Sequence, residues 1–359
     1  MTEGDRAAII CPMKTHRFRA LALEIPSVAL VALGLATSPG LGQDLSADVS
    51  VLIQTGFHDP GSSNAQPAGF EVFEGRLLVS GGRTGTFEYS AIVRYDAESR
   101  AMELFDVQAT LPISPEVHLT AGMFRPSFGL DALDPKGQLR FLERASATRA
   151  IAPGRQVGVS LGGAFLDGRL EYGGGVFNGN GRTASNDGGY MWAGRVQFNT
   201  VGPIAFTDQF VLQGGLSVLW SDDVAGWGTG STQSWGADFH AAYRGFNLTA
   251  EYLRAENQWE WNLDDHRGER TAEDRRDMQT THGFHAEMAR AVWGLTEAVV
   301  RYDSLEGADG ETDGFLMAGL NLFPGYLTRL SLQYAKRLQG EDNRLLADGE
   351  LFALVQFGF

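Results

Sequence analysis

Apolar residues recur at every second position through most of this chain. Leu45, Ala47, Val49, Val51 and Ile53 alternate with Ser46, Asp48 and Ser50, and Phe87, Tyr89, Ala91, Val93 and Tyr95 alternate with Glu88, Ser90 and Arg94. The pattern returns at Val157, Val159, Leu161 and Phe165, at Tyr190, Trp192, Val196 and Phe198, and at Phe210, Leu212, Leu216, Val218 and Trp220. It continues at Trp235, Ala237, Phe239, Ala241 and Tyr243, and at Phe246, Leu248, Ala250 and Tyr252. A period of two is the period of a strand with one apolar face. Less regular strands are predicted over 69–80, 101–111, 117–124, 169–178, 279–290, 294–303, 314–323 and 327–337. The chain ends on 351–359, where Leu351, Ala353, Val355, Phe357 and Phe359 share one face.

That is about sixteen strands with no amphipathic helix between them, which predicts an all-β antiparallel barrel or sandwich. The connections favour the barrel. Long polar ones (58–68, 124–154, 179–189, 221–233, 256–277, 303–313, 338–349) alternate with short ones (166–168, 244–245, 290–293, 323–325). Long external loops opposite short periplasmic turns, with an even strand count, is the transmembrane barrel arrangement; a sandwich has no reason to sort its loops. The connection at 96–100 is short where the scheme wants an external loop. A final strand with no chain after it must pair with one already built, so 351–359 is predicted to close the barrel against 45–53. Aromatics near strand ends, among them Tyr89, Tyr95, Tyr190, Trp192, Trp220, Trp235, Tyr243 and Tyr252, suit the two membrane interfaces.

Composition narrows the class. The 359 residues are 43% hydrophobic with mean hydropathy −0.15. No stretch after the leader approaches the ~20 apolar residues of a transmembrane helix. A barrel that alternates lipid-facing and lumen-facing residues is compatible with those values. The net charge of −15 argues against nucleic acid as a partner.

Residues 1–42 read as an export signal: Lys14, Arg17 and Arg19, then an apolar stretch over 28–35, then Gly40, Leu41 and Gly42 at a cleavage site. Met13 is an alternative start. Residues 43–359 are then one barrel domain in the bacterial outer membrane. The single cysteine, Cys11, lies in or before the leader, so disulfides, thiol nucleophiles and thiolate metal sites are excluded from the mature chain.

Residues 122–181 carry a more specific signal. Gly122, Phe124, Pro126, Phe128 and Gly129 end one strand. Phe141, Glu143 and Arg144 follow in a long connection. Ala152, Pro153, Gly154 and Arg155 precede the next strand, and Phe177, Asn178 and Gly179 end the one after. In this order and spacing the block resembles the phosphate-selective porin O and P family. The resemblance implies passive diffusion of small hydrophilic solutes, anions such as phosphate among them, through a homotrimer whose third external loop folds into the lumen. Here that loop is 124–154. The terminal Phe359 resembles the signal read by the barrel-assembly machinery. Outer-membrane lipid and lipopolysaccharide are the surrounding partners, and no cofactor is expected.

The loop is basic within an acidic protein: Arg125, Lys136, Arg140, Arg144, Arg149 and Arg155 against Asp131, Asp134 and Glu143. Guanidiniums at a narrow aqueous gap draw anions and grip phosphate or carboxylate through paired donors. A helical turn would put Arg140 and Arg144 on one face. The bland alternative is that Glu143 pairs with one of these arginines to pin the loop, and that Arg144 and Arg155 are pins. Along the wall, parity gives Arg94, Arg169, Arg195, Arg301 and Arg329 to the lumen, with Arg244 and Arg254. Glu88, Glu171, Asp238, Glu251 and Glu287 share that parity. The family's phosphate-selective members also use a lysine cluster, but only Lys136 and Lys336 follow the leader, so phosphate selectivity does not follow from the resemblance.

Other signals are weaker. His282 and His285, three apart on a strand, point to opposite faces and cannot chelate together. The acidic run 306–314 lacks EF-hand spacing for calcium. No serine stands in a G-x-S-x-G setting, so no catalytic residues are predicted. A non-conducting barrel that serves as a surface-binding or adhesion scaffold is the alternative to a porin.

Overall fold

The computed structural model describes residues 46–61, 67–96, 101–182, 188–200, 210–222, 231–256, 280–307, 310–325, 327–340 and 348–358. The predicted leader (1–42) and Phe359 lie outside them, as does part of the acidic run 306–314.

Sixteen strands are formed. They are β1 (Ser46–Asp59), β2 (Gly69–Arg83), β3 (Phe87–Asp96), β4 (Ala101–Ser114), β5 (Val117–Phe124), β6 (Gln156–Phe165), β7 (Leu170–Phe177) and β8 (Met191–Asn199), then β9 (Val211–Ser221), β10 (Thr232–Tyr243), β11 (Phe246–Glu256), β12 (Thr280–Trp293), β13 (Thr296–Glu306), β14 (Thr312–Gly325), β15 (Thr328–Gln339) and β16 (Glu350–Phe357). Each pairs antiparallel with its sequence neighbours, and β1 pairs with β16 to close the barrel. Every strand therefore has a partner on both sides and the sheet has no free edge strand, which is the condition for a sheet in lipid.

The closing register differs from the expected one. β16 pairs with the second half of β1, from Ile53↔Phe357 to Asp59↔Leu351, and residues 46–52 pair with β2 alone. Tilted strands in a closed sheet are staggered, so the last strand meets the first off level.

The predicted faces are the outward ones. Val49, Val51, Ile53, Leu216 and Val218 are exposed, while the intervening Leu52, Gln54, Ser217 and Leu219 are buried toward the inside. Aromatic contacts mark both rims. Trp235 lies 5.2 Å from Tyr252 at the end of the long connections, and Phe165 lies 5.2 Å from Tyr172 at the end of the short turns. The two-residue turn at Arg244 and Gly245 has positive φ at both positions, 46° and 79°, as the twist of a tight hairpin requires. Glycines let β6 and β7 approach closely: a Cβ on Gly158 would collide with the Val176 carbonyl oxygen. The sorting of loop lengths has two exceptions, the short 97–100 and the long 200–210 at the tight-turn end.

Candidate pore site

The β5–β6 connection, residues 125–155, runs through the barrel rather than away from it. Gly129 takes a φ of 75° and turns the chain into α1 (Leu130–Leu133). A 3-10 turn (Lys136–Gln138) and α2 (Ser146–Ile151) follow. Neither helix is capped by its own side chains; wall carboxylates serve instead. Glu251 on β11 accepts from the N–H of Leu130 at 2.5 Å and of Asp131 at 3.3 Å, and from the Thr148 hydroxyl at 3.3 Å. Asp303 on β13 accepts from the N–H and hydroxyl of Ser146 at 2.8 and 3.1 Å. An anion at a helix N-terminus meets unpaired N–H groups and the positive end of the dipole.

Apolar contact fixes the rest. Phe124, Phe128, Ala132, Ala147, Ile151 and Ala152 pack on inward-facing Phe177, Met191, Leu219, Leu253 and Leu305. Phe141 sits among Ala289, Val299, Phe315, Met317 and Ala335, and Leu142 against Phe352 and Leu354. The exposed backbone is met by wall side chains. Gln333 Oε1 accepts from the Leu142 N–H at 2.9 Å, Gln356 Nε2 donates to the Gly137 carbonyl at 2.9 Å, and Arg301 Nη1 donates to the Glu143 carbonyl at 2.9 Å. The loop is thus attached to β7, β8, β9 and β11 to β16.

The predicted loop cations take different roles. Arg144 is buried, donates to the backbone carbonyls of Asp131 and Asp134, and stands 3.9 Å from the Asp131 carboxylate. Arg155 is buried and pairs with Asp106 on β4 at 2.7 Å. Burial pulls its pKa down to about 10 against the opposing pull of Asp106, so it stays charged at neutral pH. Arg125 donates to the Ala132 carbonyl at 2.5 Å, and Lys136 is buried in the 3-10 turn. Arg149 lies 3.8 Å from Glu143 and is partly exposed, the pairing of Glu143 that the sequence allowed. Arg140, 25% exposed, is held by Glu287 and Glu297, each at 3.1 Å. Burial opposes its charge, but the two carboxylates outweigh that and push its pKa above the ordinary value. Residues 139–145 form no helix, so Arg140 and Arg144 do not share a face: one reaches the wall, the other turns back into the loop.

On the wall, Arg94, Arg195, Arg301 and Arg329 are buried and inward. Arg195 bonds Asp238, at 2.8 Å from Nη2 to Oδ1, and Ser217 at 3.1 Å. Arg329 donates to the Leu139 carbonyl and, at 2.6 Å, to Gln356. Arg169 lies exposed in the β6–β7 turn instead, because the turn residues Leu166, Asp167 and Gly168 all have positive φ and β7 begins only at Leu170. Arg244 is in a turn, and Arg254 shares the outward face of Tyr252 and pairs with Glu256 at 3.0 Å; its parity was misassigned to the lumen. His282 and His285 point to opposite faces, His282 toward the Tyr252 ring and His285 into the interior beside Glu251.

Phe105 occupies a bulge in β4 and is fully buried. Four guanidiniums surround its ring: Arg155 at 3.4 Å from the centroid, Arg94 at 4.0 Å, Arg76 at 4.7 Å and Arg182 at 5.5 Å. Glu74, Glu103 and Asp106 balance them. The sequence reading missed this cluster, and with it Asp303, Glu297, Gln333 and Gln356. A usable signal existed for the docking wall: Phe315-Leu316-Met317 and 351–355 are apolar on both faces, which a strand facing only water inside does not need.

The result is a water-facing strip of fixed charges. Leu133, Asp134, Pro135 and Gln138 are exposed, and Arg140, Glu143 and Arg149 are half-buried. A cavity of about 40 Å³ remains between the loop and the β11–β13 wall, lined by Asp131, Asp134, Arg140, His285, Glu287 and Arg301 among others. Such a strip can filter solutes by size and by charge.

A closed sixteen-stranded barrel with an inner loop and an apolar outer face is the architecture of outer-membrane porins. Residues 53–202 match the family model described as phosphate-selective porin O and P; the segment runs from within β1 past β8 and includes the inner loop. No curated protein matches the sequence. Solved structures that resemble the chain include the anion-selective porin from Comamonas acidovorans, with TM-score 0.58 and 15% identity over 88% of this chain and 100% of that one. OmpF of Salmonella typhi, solved with daunomycin, gives TM-score 0.64 and 11% identity over 88% and 98%. The trimer form of OmpT from Vibrio cholerae gives 0.59 and 10% over 88% and 100%. At these identities the likeness is one of fold.

Proposed function

We propose that this barrel lets small hydrophilic solutes diffuse passively across the outer membrane, with a modest preference for anions, through a passage narrowed by residues 125–155. The observation that carries the reading is the inner loop itself, bound to the wall of a closed barrel and presenting Arg140 and Arg149 to water. The family match and the anion-selective relative support an anion preference. The carboxylates that hold Arg140 argue that the preference is modest and that phosphate has no dedicated site. Arg144 and Arg155 serve as pins of the loop and act on solutes only through its position. The unit is a homotrimer, by analogy with the trimeric relative.

The test is single-channel conductance in planar bilayers with a KCl gradient. A reversal potential shifted toward chloride, with discrete channel steps, is expected. Cation preference would overturn the anion part. The many wall bonds of the loop and the small cavity beside it favour one second reading, a closed barrel acting as a surface scaffold, and an absence of steps from folded, inserted protein would establish it.

A further inference from the structure

We infer that Arg244 and Arg290 form a binding site for the headgroup phosphate of an anionic glycerophospholipid in the leaflet at the tight-turn end of the barrel. Both side chains are exposed. Arg290 follows Phe284, Ala286 and Met288 along the outward row of β12, so its guanidinium lies on the lipid face and not in the lumen. Cross-strand pairing puts Phe246 beside Arg290 and Tyr243 beside Phe246, which brings the β10–β11 turn with Arg244 next to the same spot. The Arg290 guanidinium lies 4.1 Å from the Phe246 ring centroid, and that of Arg244 5.2 Å from the Tyr243 ring.

Rings hold these two cations in place without neutralising them. Among the described residues neither forms an ion pair. The contrast with the other rim is direct: there Arg254 pairs with Glu256, His282 with Glu306 and Lys336 with Asp348. Ala298 stands opposite Arg290 on β13, and its small side chain leaves the guanidinium open on that side. Arg244 also occupies a position of positive φ, 46°, where glycine or asparagine would be cheaper. Exposed Trp293 and Leu295 lie beyond this level, so the two arginines sit at the edge of the apolar band, where phosphates lie. A guanidinium pair in that place matches a phosphodiester by charge and by donor geometry.

The inference rests on the membrane placement of the barrel and not on what crosses it. Native mass spectrometry of the folded barrel, with dioleoyl phosphatidylglycerol or phosphatidylcholine added at equal concentration, tests it. Wild type should retain phosphatidylglycerol preferentially, and R244Q and R290Q should each lower that retention roughly fivefold, as about one charge near a membrane surface is worth. Conductance should be unchanged in both. Equal retention of the two lipids by wild type, or undiminished retention by the double variant, would overturn the proposal. If the variants fold poorly, wild type decides alone: chain-brominated phosphatidylglycerol should quench Trp293 more than brominated phosphatidylcholine, with W293F as the blank, and equal quenching refutes the site.

Discussion

Arg140 of the inner loop and Glu287 of β12 stand 3.1 Å apart, and the same guanidinium holds Glu297 of β13 at 3.1 Å. The half-buried cation that would draw anions to the constriction is therefore outnumbered by the groups that position it. Selectivity here is a balance, and either side can be removed.

R140Q should leave two glutamates unopposed and move the reversal potential toward cations. E287Q with E297Q should free the guanidinium and move it toward anions. Bilayer measurements in a KCl gradient read both, at low salt where screening is least. Equal reversal potentials for all three proteins would take the selectivity away from this triad.

Arg144 gives the opposite expectation, although it lies only four residues on. Its guanidinium is buried and spends its donors on the carbonyls of Asp131 and Asp134. R144A should leave the Asp131 carbonyl without this partner, at a cost on the order of 1–3 kcal/mol, and the Asp134 carbonyl with only the 3.3 Å bond from Arg125. The expected phenotype is a noisier channel of higher mean conductance with little change in reversal potential. A clean shift in selectivity without noise would mean that Arg144 faces the solute.

The Asp131 carboxylate lies under α2, near Arg144, His285 and Arg301. Burial pushes its pKa up, but Arg144 foremost, with Arg301 and the Thr148 hydroxyl, outweighs burial and holds it below the usual carboxylate value. A depressed carboxyl contributes docking energy above its unfolded pKa and loses it as pH falls through the lowered value. The step in current noise that belongs to Asp131 should thus appear only below about 4, the ordinary carboxylate pKa. D131N should be noisier at neutral pH and lack the acid step.

The outer face of this protein was legible because lipid imposes one rule on it: alternate positions must be apolar, and Val49, Leu216 and Phe357 obey. Strand number and order followed from that rule and from turn placement. The inner face obeys no single rule. Leu253 and Phe315 point inward because a loop covers them, and Glu251 and Asp303 point inward because helix ends arrive there. Only the folded loop creates those demands, so the sequence showed the charges without their assignments. Arg254 was misassigned for a related reason: near the rim, a charge on the outward face can reach the aqueous edge, and parity arguments lose their force.

Glu251 and Asp303 secure the two helices of the loop to β11 and β13, so removing them should release the loop in stages. E251A leaves the N–H groups of Leu130 and Asp131 unsatisfied, and D303A does the same to Ser146. Each loss is worth on the order of 1–3 kcal/mol, against an apolar contact through Phe128, Ile151 and Phe141 that remains. Either single variant should therefore keep the loop docked most of the time, with trypsin cutting slowly after Arg140 and Arg149. The double variant removes the anchors of both helices at once, on neighbouring faces of one cluster, and should be cut at these arginines many times faster while the barrel stays intact by its heat-modifiable migration. Its conductance should rise above that of either single variant. A double variant as resistant as wild type would show that apolar docking alone holds the loop, and that the two carboxylates are placed only to satisfy the helix ends.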